Sequence, residues 1–250
     1  MFDKEIEFSS HEDYFNQKQD YPVPIKLNIP EWYKKLNHKL NNQTIKGCMP
    51  FLDSLTTGYL LKIPQDILLH HNKKHEGPEE NIRCSLFEYA LHAHEPFIKS
   101  KYINLNSKEE FHPIKQLEGS PFVEKNKNLS FYKILNPWRI KTPKGYSCLF
   151  VSPLNNADDR FHIISGIVDT DVFENEINFP IVINGDKYPE LETTIKKGTP
   201  YVQVIPFKRD NWKMTFKSRT QKEVQNSRVF YQLNILNNYK ENFWKKKSWK

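Results

Sequence analysis

The amino-acid sequence predicts a mainly β fold, built as a sandwich or barrel of short strands. Its 250 residues include 16 prolines but only 8 glycines, a balance that favours short extended segments over long helices. Between residues 129 and 207, short apolar runs are separated by turn residues at intervals of about 8–12 residues, as in sandwiches and barrels. Aromatic residues make up 14% of the chain, so Phe, Tyr and Trp are expected to fill much of the core.

Apolar runs bounded by turn residues predict where the strands lie. The predicted strands cover residues 59–63, 67–71, 82–90, 129–135, 137–140, 146–152, 162–169, 177–183 and 201–207. Residues 142–145 contain Pro143 and Gly145 and are predicted to form a type II turn. Further turns are expected at Asn184-Gly185 and Lys197-Gly198.

The two ends of the chain differ from its middle. Residues 1–43 are predicted to be an extended arm with one short helix that begins near Pro30. Residues 44–210 form the predicted β-rich core domain, and residues 211–250 form a basic helical tail. Within that tail, residues 217–243 lack Pro and Gly and carry apolar residues every three or four positions, which predicts an amphipathic helix.

Net charge is unevenly distributed along the chain. Residues 206–250 contain 12 Lys and Arg against 3 Asp and Glu, a net charge of +9, whereas the rest contains 25 against 27. This pattern is typical of a charged appendage rather than of a basic nucleic-acid-binding domain. No apolar run reaches the roughly 18 residues of a membrane span, and the acidic N-terminal segment has no apolar stretch of a secretory signal. Three widely spaced cysteines indicate thiols in a reducing compartment, with the cytoplasm as the expected location.

Four blocks within residues 30–215 occur in a distinctive order. They read CMPFLDSLTTGY, NPWRIKTPKGYSCLFVSPLN, SGIVDTDVFENEINFP and IKKGTPYVQVIPFKRD. In this order they resemble a family of proteins of unknown function from tailed bacteriophages, with relatives in bacteria. The resemblance implies a soluble, virus-related protein in the host cytoplasm or the virion, and it implies no particular activity.

Residues 139–206 carry a second resemblance. A Pro143-Lys144-Gly145-Tyr146 turn leads into a strand, the run GIVD ends at Asp169, and KGTPYVQV covers residues 197–204. This arrangement is similar to the dUTPase and dCTP deaminase group, a β-clip fold that usually forms trimers. The expected core is therefore a sandwich or β-clip-like arrangement.

The second resemblance also implies an activity. It implies that Asp169 orients or deprotonates the attacking water while Mg²⁺ neutralises the triphosphate, and that Tyr146 and Gln203 contribute to nucleotide binding. The chain departs from the group in three places. After Asp169, Val172, Phe173 and Glu174 stand where the group has Tyr and Gly. No Arg occurs at 152–156, where the group has a phosphate-contacting turn, and no Gly follows Asp210.

Other residue groups suggest metal chemistry. Asp169 and Asp171 alternate in VDTDV and are expected either to coordinate a hard cation together with Glu174 or to cap backbone NH groups of a turn. His92 and His94 share a face if they lie on a strand, and with His112 they would form a zinc- or iron-type site; the alternative is a surface pair.

The last residues interleave aromatic and basic side chains. The interaction tail comprises Trp244, Lys245, Lys246, Lys247 and Trp249. It is expected to dock on protein, such as a neighbouring subunit, with single-stranded nucleic acid or an anionic surface as the alternative.

Three functional hypotheses follow. The first is an accessory or structural protein that forms oligomers or binds a virion or host protein. The second is a dUTPase-like protein that binds or hydrolyses a nucleotide, and the third is a metal-dependent enzyme using the histidines.

Overall fold

The computed structural model describes residues 4–15, 18–39, 41–72, 82–83, 111–128, 131–156, 158–233 and 238–250. Within these residues the chain is mainly β, as predicted. The strands are β1 (Glu7–Ser9), β2 (Val23–Pro24), β3 (Tyr59–Lys62), β4 (Ile67–Asn72), β5 (Ile82–Arg83), β6 (Phe111–His112), β7 (Phe131–Ile134), β8 (Arg139–Lys141), β9 (Tyr146–Val151), β10 (Phe161–Ile163), β11 (Gly166–Val168), β12 (Phe179–Ile183), β13 (Glu190–Ile195) and β14 (Pro200–Lys208). The helices are α1 (Glu12–Phe15), α2 (Glu31–Lys35), α3 (Met49–Ser54), α4 (Pro121–Lys125), α5 (Gln221–Leu233) and α6 (Asn238–Asn242). None of these helices is long and apolar enough to cross a membrane.

The described strands form four sheets. The five-stranded sheet has the order β11-β9-β14-β3-β2, and the four-stranded sheet has the order β10-β12-β7-β6. A three-stranded sheet has the order β13-β4-β5, and β1 pairs with β8. Neighbouring strands such as β9 and β14 run antiparallel, so side chains alternate between the two faces of each sheet.

The chain divides into two compact units. Unit 1 comprises Met1–Val23 and Tyr59–Lys208, and unit 2 comprises Pro24–Gly58 and Arg209–Lys250. The sequence-based division at residues 43 and 210 stays a prediction.

Large aromatic side chains fill the core of unit 1. The rings of Phe150 and Phe179 lie 5.4 Å apart between centroids, and Phe179 lies 5.7 Å from Tyr201. All three are nearly fully buried, as is Trp138. The prediction of an aromatic core is confirmed, since each of these rings removes a large apolar area from water.

An ion pair between a buried carboxylate and a partly exposed lysine joins two distant parts of unit 1. The Asp20 carboxylate is 2% exposed, and its Oδ2 lies 2.8 Å from Nζ of Lys197 in the turn before β14. The neighbouring Lys196 forms a surface pair with Asp66 at 2.8 Å. Burial makes the first pair sensitive to loss of one partner, whereas water screens the second.

Most predicted strands are present, but residues 162–169 do not form one strand. The structure places β10 against β12 in one sheet and β11 against β9 in another. The chain changes sheets at Ile164 and Ser165, where the Ile164 NH donates to the Pro180 carbonyl at 2.8 Å. The prediction of a continuous strand was wrong because the two parts of the segment pair with different partner strands.

The turns follow the predicted chemistry. The Tyr146 NH donates to the Pro143 carbonyl at 3.1 Å, and Gly145 has a φ of 83°, which only glycine adopts readily. The turn therefore spans residues 143–146, one residue later than predicted, with Gly145 at the position where a type II turn requires a positive φ. Strand β13, whose sequence ELETTI is largely polar, was not predicted, because its inward face carries only two apolar residues, Leu191 and Ile195.

Unit 2 contains the C-terminal helices. Helix α5 begins after Thr220, whose NH donates to a Glu223 carboxylate oxygen at 2.6 Å while the Glu223 NH donates to the Thr220 hydroxyl at 3.3 Å. This reciprocal pair is a capping box, which satisfies NH groups at the helix start. The predicted helix over 217–243 is thus present as α5 and α6, with 234–237 outside the described residues.

Candidate functional site

The VDTDV segment forms a turn at the end of β11. The NH groups of Val172 and Phe173 both donate to the Asp169 carbonyl at 3.0 Å. The Asp169 carboxylate accepts a hydrogen bond from the Ser147 hydroxyl at 2.6 Å, and Asp171 accepts one from the Gly145 NH at 2.8 Å. Both carboxylates therefore fasten this turn, called here the Asp169 turn (residues 169–173), to the start of β9.

Thr170 anchors the same turn from within. Its side chain is fully buried, and its hydroxyl lies 2.7 Å from the Thr142 hydroxyl and 3.4 Å from Sγ of Cys148. The Thr142 NH in turn donates to the Thr170 carbonyl at 3.3 Å. Burial raises the pKa of the Cys148 thiol to about 11, although the hydrogen bond from Thr170 opposes this change. The thiol is therefore a neutral packing group at neutral pH.

Glu174 does not join the two aspartates. Its carboxylate accepts hydrogen bonds from Lys141 and Arg139, and the Lys141 hydrogen bond is the main reason that the pKa of Glu174 is lowered. In the part of the chain that the structure describes, no three His, Cys, Asp or Glu side chains form a group that could hold a metal ion. The cation site of Asp169, Asp171 and Glu174 stays a prediction, whereas the hydrogen bond from the Gly145 NH to Asp171 agrees with the alternative in which the carboxylates cap a turn.

The two residues predicted to bind nucleotide have structural contacts. Gln203 is fully buried in β14, and its Oε1 accepts a hydrogen bond from the Leu154 NH at 2.9 Å. Tyr146 is half-buried, and Nζ of Lys4 lies 4.4 Å from the centre of its ring. These contacts hold a loop and the N-terminal segment in place, while nucleotide binding by the two residues stays a prediction.

The histidine site cannot be assembled from the described residues. His92 and His94 lie outside them. His112 ends β6, and its Nδ1 is hydrogen-bonded to Oε1 of Gln116. The three-histidine site stays a prediction.

Part of the predicted interaction tail binds within unit 2. The Trp244 indole NH lies 3.1 Å from both carboxylate oxygens of Asp53 in α3, and Lys247 forms an ion pair with the same carboxylate. Nζ of Lys247 also lies 5.8 Å from the Trp244 ring. Trp249 is half-buried, whereas Lys245 and Lys246 are exposed. Trp244 and Lys247 thus contact the chain itself, and a role of the tail in binding partners stays a prediction.

An apolar row on the five-stranded sheet was not found from the sequence. Ile167 in β11 stands opposite Leu149 in β9, which stands opposite Ile205 in β14. Ile167 is 63% exposed, and Leu149 and Ile205 are partly exposed, so all three present apolar surface on one face. We call these three residues the β11 face. Their separation in sequence hides the row, because only strand register brings them together.

Two further exposed apolar groups are present. Val172 and Phe173, in the Asp169 turn, are 69% and 38% exposed. In unit 2, Trp212, Met214 and Phe216 are 92%, 79% and 87% exposed within a segment that has no helix or strand. Alternation of apolar and polar residues was the available signal for this second group, but aromatic side chains are ordinarily assigned to the core.

Similarity to known proteins is found at the level of solved structures. No protein-family model matches the chain, and no curated protein sequence matches it. Among solved structures, the chain is similar to native EIAV dUTPase with a TM-score of 0.33 and 11% identity, over 66% of this chain and 87% of that one. It is similar to a mutant dUTPase of Staphylococcus bacteriophage 80alpha with dUpNHpp, with a TM-score of 0.27 and 15% identity, over 37% and 70%. A mutant dUTPase from phage phi11 of S. aureus is similar with a TM-score of 0.26 and 13% identity, over 36% of this chain and 72% of that one.

All three solved structures are dUTPases, the group that residues 139–206 resemble. Their TM-scores are too low to carry a conclusion about shared fold or activity, and the resemblance to the tailed-phage family stays a prediction. The geometry of the chain itself is therefore the basis for assigning a function.

Proposed function

We propose that this protein is an accessory or structural protein that acts through protein contacts, and that it binds a second copy of itself through the β11 face. The observation that carries this proposal is Ile167. It lies at the centre of a terminal sheet strand, yet it is 63% exposed.

Terminal strands usually avoid such exposure. Their outward edge can pair with another chain, and proteins commonly protect it with charged residues, prolines or a covering loop. Strand β11 reads Gly-Ile-Val and contains no charged residue and no proline. A strand that paired with this edge would cover Ile167, and the apolar row continues inward from Ile167 through Leu149 and Ile205.

The Asp169 turn supports this surface. The hydrogen bonds of Asp169 to Ser147 and of Asp171 to Gly145 fix the chain that leaves β11. Val172 and Phe173 are thereby held exposed beside the same strand. A surface that is already ordered loses little conformational entropy on binding, which favours a contact role for the turn.

A second copy is the proposed partner because a terminal strand can pair with its own equivalent across a two-fold axis. Antiparallel pairing of two β11 strands would bring the central Ile167 of each copy together. The resemblance to a trimer-forming group also favours self-association, and the resemblance to tailed-phage proteins makes a virion or host protein the alternative partner. The proposed location, in the host cytoplasm or the virion, follows from that same resemblance.

The geometry gives less support to nucleotide hydrolysis. A water activated by Asp169 would compete with the Ser147 hydroxyl for the Asp169 carboxylate. Arg139 and Lys141 are already paired with Glu174. If the nucleotide hypothesis holds, dUTP or another dNTP with Mg²⁺ should raise the melting temperature of the protein, and Asp169→Asn should abolish hydrolysis.

The proposal is tested by light scattering during size-exclusion chromatography across a dilution series. We expect the native chain to self-associate, and Ile167→Glu to weaken the association at least tenfold, or about 1.4 kcal/mol. Leu27→Glu is the matched control, because Leu27 is 69% exposed but lies in unit 2. A native chain that stays monomeric at every concentration would contradict self-association, and equal effects of the two substitutions would contradict the role of the β11 face.

A further inference from the structure

The division into two units increases the charge separation that the linear sequence shows. Unit 2 contains 16 Lys and Arg against 5 Asp and Glu, a net charge of +11, since residues 24–58 contribute five lysines to those of the C-terminal segment. The rest of the chain contains 21 against 25, a net charge of −4. A compact unit of this sign attracts polyanions and speeds their encounter.

One segment of unit 2 is fully open to solvent. Every residue from Lys208 to Glu223 is exposed, and residues 209–220 form no helix or strand. Within it, the 92% exposed Trp212 and the 87% exposed Phe216 flank Met214. We call residues 209–220 the aromatic segment.

The aromatic side chains of this segment alternate with cations. Lys213 follows Trp212, Lys217 follows Phe216, and Arg219 comes two residues later. From 211 to 219 the segment contains these three basic residues and no acidic residue. Exposed rings interleaved with cations are the combination that binds single-stranded nucleic acid, because the rings stack on bases while the cations neutralise phosphates.

Other occupants of the segment fit less well. A protein interface places few lysines among its central apolar residues, whereas here they alternate directly. Binding to a membrane surface usually relies on a helix with one continuous apolar face, and these residues are not helical. Duplex DNA keeps its bases stacked on each other, so it offers no free base faces to Trp212 and Phe216.

We propose that unit 2 binds single-stranded nucleic acid through the aromatic segment. Trp212 and Phe216 stack on bases, and Lys213 and Lys217 contact phosphates. This function is separate from the protein contacts of the β11 face and does not depend on them. The binding of protein or nucleic acid by the interaction tail stays a separate prediction, and the Trp244 indole NH is hydrogen-bonded to Asp53.

The test uses the full-length chain and a fluorescein-labelled oligo(dT), with binding followed by anisotropy at low and moderate salt. We expect the double variant Trp212→Ala/Phe216→Ala to bind at least tenfold more weakly. Trp212→Phe should keep most of the affinity, because it keeps an aromatic face. Val229→Ala, which shortens another exposed apolar side chain of unit 2, is the control and should bind like the native chain.

The charges are tested separately. Lys213→Gln/Lys217→Gln should reduce the slope of log K against log salt by about 1.4, or about 0.7 for each phosphate that the variant no longer neutralises. Lys144→Gln, an exposed lysine of unit 1, should leave the slope unchanged.

Three results would overturn the proposal. The first is no binding of oligo(dT) by the native chain at low salt, and the second is equal affinity of the native chain and the double aromatic variant. The third is a native chain that binds phosphatidylglycerol vesicles but not oligo(dT), together with a double aromatic variant that no longer binds the vesicles. That result would assign the segment to a lipid surface.

Discussion

The free energy of unfolding of an Asp169 variant should show whether the Asp169 carboxylate stabilises the turn. The Ser147 hydroxyl that binds it belongs to a fully buried residue, and the two oxygen atoms are 2.6 Å apart. A hydrogen bond to a charged group contributes roughly 1.5–3 kcal/mol. Because Asp169 itself is exposed and water competes for its oxygens, we expect Asp169→Ala to lower the free energy of unfolding by about 1.5 kcal/mol, the lower end of that range.

A double-mutant cycle isolates this contact. Ser147→Ala and Asp169→Ala share one interaction, so the double variant should lose less than the sum of the single losses, with a coupling energy of about 1 kcal/mol. Urea unfolding followed by circular dichroism measures each free energy from the midpoint at an unchanged slope. Asp186→Ala is the control, because the exposed Asp186 carboxylate pairs with Lys127 at the surface and should contribute at most about 1 kcal/mol.

Full stability of Asp169→Ala, together with a coupling energy near zero, would refute this role of the carboxylate. The turn would then be held by other contacts, such as the buried Thr170 hydroxyl. Asp169 would in that case be available for the water activation that the dUTPase resemblance implies.

Three further predictions rest on other contacts. Lys197→Met should cost about 1.5–3 kcal/mol of unfolding free energy, because it leaves the buried carboxylate partner of the partly exposed Lys197 uncompensated, whereas Lys196→Met should cost about 1 kcal/mol or less. Equal losses in urea unfolding would contradict the role of burial. A hydrogen bond from Arg160 lowers the pKa of Asp158. Asp158 therefore stabilises the fold above its unfolded pKa of about 4, and this contribution is lost as the pH falls through the lower pKa of the folded state. Melting temperature measured against pH should show that Asp158→Asn loses less stability in acid than the native chain. Cys148, with its pKa of about 11, should resist alkylation at pH about 8 until the chain unfolds, while the partly exposed Cys48 reacts in the native state. Peptide mass spectrometry distinguishes the two cysteines. Rapid labelling of Cys148 in the native chain would contradict its burial.

The sequence predicts the strands of unit 1 well where apolar residues and turn residues alternate. Strand β9 and the type II turn before it are examples, since their pattern depends only on neighbouring residues. The division between β10 and β11 could not be predicted, because it depends on which strands pair with each part. Local pattern therefore predicts strands, and long-range pairing decides how they are arranged.

The candidate sites depend even more on distant contacts. The motif containing Asp169 was visible in the sequence, but its bond to Ser147 arises from the pairing of β11 with β9. Trp244 meets Asp53 across 191 residues of sequence, which no spacing rule reveals. Trp212 was unexpected for a different reason, because a tryptophan is normally predicted to be buried and this one is 92% exposed.

Hydrogen–deuterium exchange of the β11 amides tests the central claim most directly. If β11 pairs with a second copy, exchange in a peptide that covers Gly166–Val168 should slow as the protein concentration rises, and Ile167→Glu should remove this dependence. A peptide of α5, which belongs to unit 2, serves as the internal reference. Exchange at β11 that is fast and independent of concentration in the native chain would contradict the account.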